Sequence, residues 1–397
     1  MLLPQWIAAQ NNVVSPYSRF GYGMLSEQST TAQRGMGGVG YAMRSGRQIN
    51  FMNPASYAAM DSLTFLFDMG LNLKNLHTSQ GDLKGTNTTG GLDYITLQVP
   101  LTKWLGASAG LIPYAETGYN FYDGTVNYTG NGGVNQLYLG FGARPFKGFS
   151  LGVNVSYLFG TITNDVFEYG STSTSLFERV TEIRDYNLRI GAQYAFNINP
   201  ANEISLGVIY EPEKSLRGKS YGKVYDVGSD SDPANLDEKK LKGNAATPAT
   251  YGAGIGYTWQ NRLTVEADFT YQPWKGVKFA TIEGFNDNLG AFNDRWKANV
   301  GVQFQNRPRG SWFQRVNYRL GAYYCNDYIK VGDNSVRERG VSVGFGLPAP
   351  SSKSMVNLAL EYRNRQAHPS ALVKENYFVV TLGINFNEFW FFRNKIQ

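Results

Sequence analysis

The sequence predicts an all-β protein: a transmembrane antiparallel β-barrel of about 14 strands with an N-terminal plug in its lumen. Charged residues make up only 17% of the 397 residues, whereas soluble domains contain about 25%. The mean hydropathy is −0.33, and no run of about 18 apolar residues, the length of a membrane-spanning helix, occurs. Instead, segments of nine to eleven residues alternate apolar and polar side chains, which is the length a tilted strand needs to cross a bilayer.

The first ten residues, MLLPQWIAAQ, contain an apolar patch followed by small residues, so residues 1–10 are predicted to be the remnant of a signal peptide. The alternative is an ordinary disordered N-terminus.

Residues 11–62 do not alternate. They are rich in glycine and carry the arginines Arg19, Arg34, Arg44 and Arg47. A barrel of about fourteen strands has a lumen too wide for its own side chains to fill. This segment is therefore predicted to fold into the lumen as a plug, and the alternative is a flexible periplasmic tail.

Residues 63–386 are predicted to form the barrel, because the alternation repeats throughout this range. In the segment 150–159, for example, Leu151, Val153 and Val155 alternate with small and polar residues. Soluble β-sandwiches also alternate, but their strands typically have about five or six residues. The predicted strands are 64–76, 91–102, 104–119, 134–145, 150–159, 183–197, 203–214, 250–259, 262–272, 294–305, 315–327, 338–348, 355–365 and 376–386.

The connections between the predicted strands alternate in length. Loops such as 77–90, 120–133 and 163–180 are long, whereas the links at 101–104 and 145–149 are short. Outer-membrane barrels have long extracellular loops, short periplasmic turns and both chain ends in the periplasm. The protein is therefore predicted to lie in the outer membrane of a Gram-negative bacterium, in contact with its lipid. Both termini are predicted to be periplasmic, with 387–397 as a C-terminal tail.

The alternation also places charged side chains inside the barrel, namely Arg189, Glu266, Asp268, Arg319 and Glu361. Buried charges need partners. The arginines of the plug are therefore expected to pair with the inward carboxylates Glu266, Asp268 and Glu361. The inward arginines are expected to pair with the plug, and the alternative is that they bind the carboxylate head group of a ligand.

The third predicted strand contains Pro113 where its hydrogen-bond ladder should continue. Proline has no N–H to donate and is normally kept out of sheet interiors. Gly106, Gly110 and Gly118 permit a bend nearby. Pro113 therefore predicts either a local break in the barrel wall or a β-bulge near its outer edge.

Residues suited to catalysis or metal binding are scarce: the chain has one cysteine, Cys325, and two histidines, His77 and His368. They cannot make a zinc site or a Cys/His nucleophile pair, and no hydrolase, P-loop or dinucleotide motif occurs. The protein is therefore predicted not to be an enzyme and to use no cofactor or metal. Lysine and arginine are scattered along the chain, which argues against a nucleic-acid partner.

A plug ending in Asn53-Pro54-Ala55, about fourteen strands and a proline-interrupted third strand together resemble the FadL-type outer-membrane transporters. That family carries long-chain fatty acids and other hydrophobic molecules. The resemblance implies that Asn53, Pro54 and Ala55 form a kinked part of the plug that controls passage.

The resemblance also implies that Pro113, with Gly110 and Gly118, marks a lateral gate through which an apolar ligand leaves into the bilayer. The first hypothesis is thus a FadL-like channel for a hydrophobic or amphipathic small molecule or lipid. The predicted outer loop 213–247 is charge-rich and does not resemble a capture surface for such molecules. The alternative is a non-conducting scaffold or accessory subunit of an outer-membrane protein assembly or secretion complex, with outer-membrane proteins or lipoproteins as partners.

Overall fold

The alternating segments fold into 14 antiparallel strands that close on themselves. The computed structural model describes residues 15–169, 174–227, 231–283, 285, 289–307, 310–350 and 353–389. The last strand pairs with the first, from Lys374 opposite Ser79 to Phe389 opposite Thr64, and this ladder closes the barrel. The strands are β1 (Thr64–Gln80), β2 (Leu83–Pro100), β3 (Leu105–Tyr122), β4 (Val126–Phe146), β5 (Phe149–Tyr169), β6 (Thr174–Asn199), β7 (Asn202–Glu211), β8 (Thr250–Trp259), β9 (Leu263–Gln272), β10 (Arg295–Gln305), β11 (Asn317–Val331), β12 (Asn334–Pro348), β13 (Met355–His368) and β14 (Lys374–Phe389).

The period-two pattern decides which way each side chain faces, because successive residues of a strand point to opposite sides. Large apolar side chains such as Val155, Ile255 and Phe378 point outward and are about half exposed, whereas Ser150 and Asn154 point inward and are buried. A band of exposed apolar residues around a closed barrel is the surface that faces lipid. Among the described residues, no helix has the length and apolar character needed to span a bilayer. The predicted transmembrane barrel of about 14 strands is confirmed.

The two ends of the barrel differ. At the short-turn end, as we call it, strands are joined at 101–104, 147–148, 200–201, 260–262, 306–316 and 349–354. At the opposite, long-hairpin end, pairs of strands continue far beyond the apolar band to turns such as 81–82, 123–125 and 332–333. The prediction of long loops at 77–90, 120–133 and 163–180 is therefore wrong for most of their length. These stretches are rich in polar residues and glycine and show no sustained alternation, yet their backbones still pair and their threonines favour strands.

Smaller elements complete the fold. Two strands from the β7–β8 connection, Gly218–Val227 and Ala234–Lys240, extend the sheet beside β6 at the long-hairpin end. A two-residue ladder joins Lys214–Ser215 to Ala246–Thr247. The remaining short elements are the strand Met24–Leu25, the α-helix Thr31–Arg34 and the 3-10 helices Pro16–Arg19, Pro54–Ala59 and Trp312–Arg315.

The predicted C-terminal tail begins too early. Residues 387–389 belong to β14, because its partner β1 begins at Thr64 and the ladder continues as far as both strands extend. The predictions for 1–10 as a signal-peptide remnant and for 390–397 as part of the tail fall outside the described residues.

Candidate functional site in the lumen and the barrel wall

Residues 15–62, which we call the N-terminal segment, pack against the inward-facing side of the barrel. The segment is buried along most of its length, and Met36, Val39, Ile49 and Phe51 are each at most 1% exposed. It begins near β3 and β14 toward the long-hairpin end and reaches β1 at the short-turn end. The N-terminal segment is thus in contact with several strands of the wall.

Inward-facing glycines make room for the N-terminal segment. A methyl group on Gly152 would overlap the Pro54 carbonyl and would lie 2.5 Å from the Ala55 nitrogen. Such contacts with backbone atoms are too short for non-bonded atoms, and backbone cannot move aside as a flexible side chain can. Six more inward glycines meet backbone of the segment in this way, namely Gly106, Gly142, Gly207, Gly301, Gly321 and Gly344, and a methyl carbon on Gly254 would lie 3.1 Å from the Ala42 nitrogen.

We call these eight glycines the glycine track, because the segment lies along them from strand to strand. The reading of the sequence from alternation alone missed the track. The signal was present, since glycine recurs at inward positions of successive strands. Alternation, however, shows only which side of the barrel a residue faces and not which distant part of the chain will lie against it.

Asn53, from the predicted plug motif, is fully buried and joins the segment to the wall. Its side-chain oxygen accepts a hydrogen bond from the Ala55 N–H at 3.1 Å, which caps the 3-10 helix that starts at Pro54. Its Nδ2 donates to the Tyr41 carbonyl at 2.8 Å and lies 3.4 Å from the Val208 carbonyl oxygen in β7. The role of Asn53, Pro54 and Ala55 in controlling passage stays a prediction.

The inward carboxylates of β9 bind backbone of the N-terminal segment. Asp268 accepts from the N–H groups of Gly40 at 2.7 Å and Tyr41 at 3.0 Å, and Glu266 accepts from Ala42 at 2.9 Å. The expectation that arginines of the segment pair with these two carboxylates is therefore wrong. The chain passes over β9 at residues 40–42, and buried N–H groups that lack a helix or strand partner require acceptors there.

Two ion pairs of 2.7 Å join the segment to strands of the wall elsewhere. Arg34 lies 2.7 Å from Asp93 of β2, and Glu27 lies 2.7 Å from Lys297 of β10. Burial by itself would raise the pKa of Glu27, but the positive charges of Lys297, Arg363 and Arg34 outweigh it and hold that pKa below its ordinary value. Glu27 is thus a carboxylate held in its charged form by the wall.

The other predicted lumen charges find partners within the wall. Arg189 forms an ion pair with Glu211 and, as expected, also contacts the N-terminal segment, since its Nη1 donates to the Phe51 carbonyl at 3.3 Å. Glu361, expected to bind the plug, pairs instead with Arg363 on its own strand at 2.7 Å. Arg319 donates to two uncharged inward side chains, Gln303 at 2.7 Å and Asn357 at 2.8 Å. Because these charged groups already have protein partners, the arrangement gives no support to a bound carboxylate head group.

The wall is broken between β2 and β3. These strands pair only from Pro100 opposite Gly106 to Ile95 opposite Leu111, and Gly110 lies within this paired part. Beyond Leu111, β3 stays with β4, and a bulge at Pro113 shifts its register. The two readings of Pro113 from the sequence, a break and a bulge, therefore both occur at the same place.

The N-terminal segment covers the edge of β3 that β2 leaves. Met24 and Leu25 pair with Glu116 and Ala115 as a short antiparallel strand. On either side of that strand the segment donates hydrogen bonds to β3 carbonyls, from Gln28 Nε2 to Pro113 at 3.0 Å, from the Ser26 N–H to Tyr114 at 3.0 Å and from the Ser15 N–H to Gly118 at 2.8 Å. Unpaired backbone costs several kcal/mol per group in lipid, so this cover explains how the wall tolerates the break. The role of Pro113, Gly110 and Gly118 as a gate stays a prediction.

The interior beside the break is charged. A cavity of about 50 Å³ there is lined by Pro113, Lys74, Asp93 and Glu116 among others, and Lys74 lies 3.2 Å from Glu116. A second cavity of about 90 Å³ lies farther along the segment, next to Asp268. Sites that bind drug-sized ligands have volumes of about 300–1,000 Å³ and mostly apolar walls, so neither cavity resembles one.

Aromatic residues close the long-hairpin end. Trp274, which follows β9, is fully buried. The centroid of its ring lies 4.4 Å from the ring centroid of Tyr328 and 6.2 Å from that of Tyr22 in the N-terminal segment. Phe279 and Phe292, from the β9–β10 connection, pack on the same cluster. The polar loops predicted at this end therefore surround an apolar cluster, which we call the aromatic seal.

The family model BamG matches residues 1–397. A comparison with curated proteins found no match.

Solved outer-membrane transporters share the fold. A FadL homologue from Pseudomonas aeruginosa is 13% identical, with a TM-score of 0.65 over 91% of this chain and 99% of its own. The toluene transporter TodX from Pseudomonas putida is 15% identical, with a TM-score of 0.63 over 92% and 99%. The toluene transporter TbuX from Ralstonia pickettii is 13% identical, with a TM-score of 0.59 over 90% and 98%. At these identities the likeness concerns the architecture alone.

Proposed function

The chain belongs to the BamG family, and from this membership and the occupied lumen we propose that it is a non-conducting accessory barrel subunit of an outer-membrane protein assembly or secretion complex. The family name points to outer-membrane protein partners. The predicted resemblance to FadL-type transporters holds for the fold, and the family itself is a different one.

On this proposal, residues 11–62 act as a permanent plug of the barrel formed by 63–386, and both chain ends face the periplasm. The glycine track is the observation that carries the proposal. Eight inward glycines meet backbone of the N-terminal segment, whereas a plug built to move aside would need few such close contacts. The ion pairs of Arg34 and Glu27 and the backbone contacts of Asp268 hold the segment further.

The aromatic seal supports the same function. A transporter of apolar molecules needs an entry from the outside, and the cluster around Trp274 and Tyr328 occupies that end of the lumen. A subunit whose task is to bind other proteins needs a rigid, sealed wall so that the outer membrane does not leak.

Purification in mild detergent tests the proposal. We expect a stoichiometric partner, a barrel or a lipoprotein, to co-purify with the chain, and the chain alone to conduct no ions in a planar lipid bilayer. The matched control is an unrelated outer-membrane barrel solubilised from the same membranes, which should not retain the partner. A chain that purifies alone from several mild detergents and conducts ions would contradict the proposal.

A second candidate, the FadL-like channel with lateral release of a hydrophobic molecule, is favoured by one observation: the ladder between β2 and β3 stops at Leu111. Replacing Pro113 tests it, because valine restores an N–H and removes the fixed backbone angle. On the accessory-subunit proposal, we expect cells with Pro113→Val to take up hydrophobic compounds at the wild-type rate.

The control for that experiment is Pro348→Val, a change at the end of β12, away from the break. Slower uptake in the Pro113 variant, with normal uptake in the Pro348 variant and equal amounts of both proteins in the membrane, would establish the channel instead.

A further inference from the structure

A third cavity, of about 980 Å³, opens at the short-turn end. Its walls are Ser45–Gln48 of the N-terminal segment and the links that follow β8, β10 and β12. It is much larger than the two lumen cavities, which measure about 90 Å³ and about 50 Å³. We call it the basic vestibule, and we propose that it is a docking site for a carboxylate-rich peptide segment of a partner protein.

Its charge is the first reason. The described residues that line it include five basic residues and a single acid, Asp61, which leaves an excess of four positive charges. The basic residues are Arg47, Arg262, Arg307, Arg315 and Lys353. Lys353 lies 3.6 Å from Asp61. None of the four arginines forms an ion pair with an acid in the described part of the chain. In the lumen, by contrast, Arg34 and Lys297 each lie 2.7 Å from a carboxylate.

Two buried polar atoms in the vestibule have no hydrogen-bond partner: Nε of Arg315, a donor, and Oδ1 of Asn317, an acceptor. Asn317 is only 6% exposed. Leaving a buried polar atom unpaired costs about 1–3 kcal/mol, so a ligand that satisfies both is favoured.

These two atoms also distinguish between ligand classes. A simple carboxylate ion accepts hydrogen bonds and suits Arg315, but it offers no donor to Asn317, and a phosphate ion can donate only through its O–H and has none of the amide groups of a peptide. A peptide carries carboxylates for the arginines, which bind them in planar, two-point contacts, and backbone N–H groups for Asn317. The amide side chains of Gln48, Gln305 and Gln314, also in the lining, can pair with peptide backbone. The vestibule therefore fits an acidic peptide better than a small anion.

This inference rests on the proposed function for its setting, since the short-turn end faces the periplasm in that proposal and a partner there would supply the segment. The chemistry rests on the vestibule alone. Because Arg47 belongs to the N-terminal segment, a bound peptide would touch the plug and the barrel wall together.

Fluorescence anisotropy on the full-length protein in an uncharged detergent tests the inference. The probe is a short labelled peptide rich in Asp and Glu, and the control probe has Asn and Gln in their place. We expect the acidic peptide to bind and the neutral one not to bind. Arg262→Gln combined with Arg307→Gln should weaken binding by about tenfold or more, because hydrogen bonds between charged groups are the strong ones.

The matched control variant is Lys103→Gln with Lys147→Gln, which removes two exposed positive charges from turns at the same end outside the vestibule. It should bind the acidic peptide like the wild type. Equal binding of the two probes, or equal binding by the Arg262/Arg307 and Lys103/Lys147 variants, would overturn the inference. Displacement of the peptide by inorganic phosphate at similar concentrations would show a small-anion site and would also overturn it.

The two proposals fail separately. If the acidic peptide binds but no partner co-purifies, the accessory-subunit function fails and the vestibule stands. If a partner co-purifies with the wild type, and the Arg262/Arg307 variant binds both that partner and the acidic peptide as the wild type does, the vestibule is not the docking site.

Discussion

A Gly152→Val variant is expected to release the N-terminal segment from the lumen while the barrel itself still assembles. The valine side chain would point into the Pro54 carbonyl and the Ala55 nitrogen, and both belong to backbone held by the Asn53 cap. Overpacking of a well-packed interior costs about 1–3 kcal/mol, and here the cost falls on the contact between segment and wall. The strand loses nothing, because valine favours β-structure.

Trypsin reports the release directly. Arg34 is 5% exposed in the lumen, where a protease cannot reach it, so cleavage after Arg34 requires that the segment has left the barrel. We expect cleavage at Arg34 and ion conductance in planar bilayers for Gly152→Val and neither for the wild type. Val155→Leu, a lipid-facing change on the same strand, is the control. Protection of Arg34 and a closed lumen in Gly152→Val would show that the glycine track does not hold the segment.

Removing the charge of Arg34 is expected to destabilise the protein by about 3–5 kcal/mol, the cost of breaking one side of a buried ion pair. Arg34→Met leaves Asp93 without its ion-pair partner in a site where both side chains are at most 5% exposed. Among the described residues, Asp93 would keep its hydrogen bond from Asn72, at 3.0 Å.

The double variant Arg34→Met with Asp93→Asn removes both charges, and we expect it to recover more than half of the lost stability. Denaturant unfolding in detergent for the two single variants and the double variant gives the coupling between the two residues. Lys330→Met is the control, because the Lys330–Asp333 pair is 4.0 Å long and exposed, and its loss should leave unfolding unchanged. Equal unfolding of Arg34→Met and wild type would mean that the pair does not anchor the segment.

The strands could be predicted from the sequence because the alternation of apolar and polar residues is a local pattern. In β5, Leu151 and Val153 alternate with Ser150 and Gly152, and this alternation alone predicts that the first two side chains face lipid and the other two residues face the lumen. The long hairpins could not be predicted in this way, since successive residues such as Asn87 and Thr88 are both exposed and show no period.

The lumen shows the opposite case. Alternation predicted that Glu266 and Asp268 face the lumen, but it could not show that the backbone of residues 40–42, and not an arginine, would donate to them. It likewise placed Pro113 in the third strand, but it could not tell that Met24 and Leu25 would cover the exposed edge there.

The sequence by itself thus determined the number of strands, the face of each residue and the membrane as surroundings, because period two and hydropathy act over a few neighbouring residues. Only the tertiary structure decided which glycines the N-terminal segment lies on, which charges pair and where the pairing between β2 and β3 stops. These depend on the path of one irregular segment past fourteen strands, and contacts between residues so distant in the chain leave no local pattern.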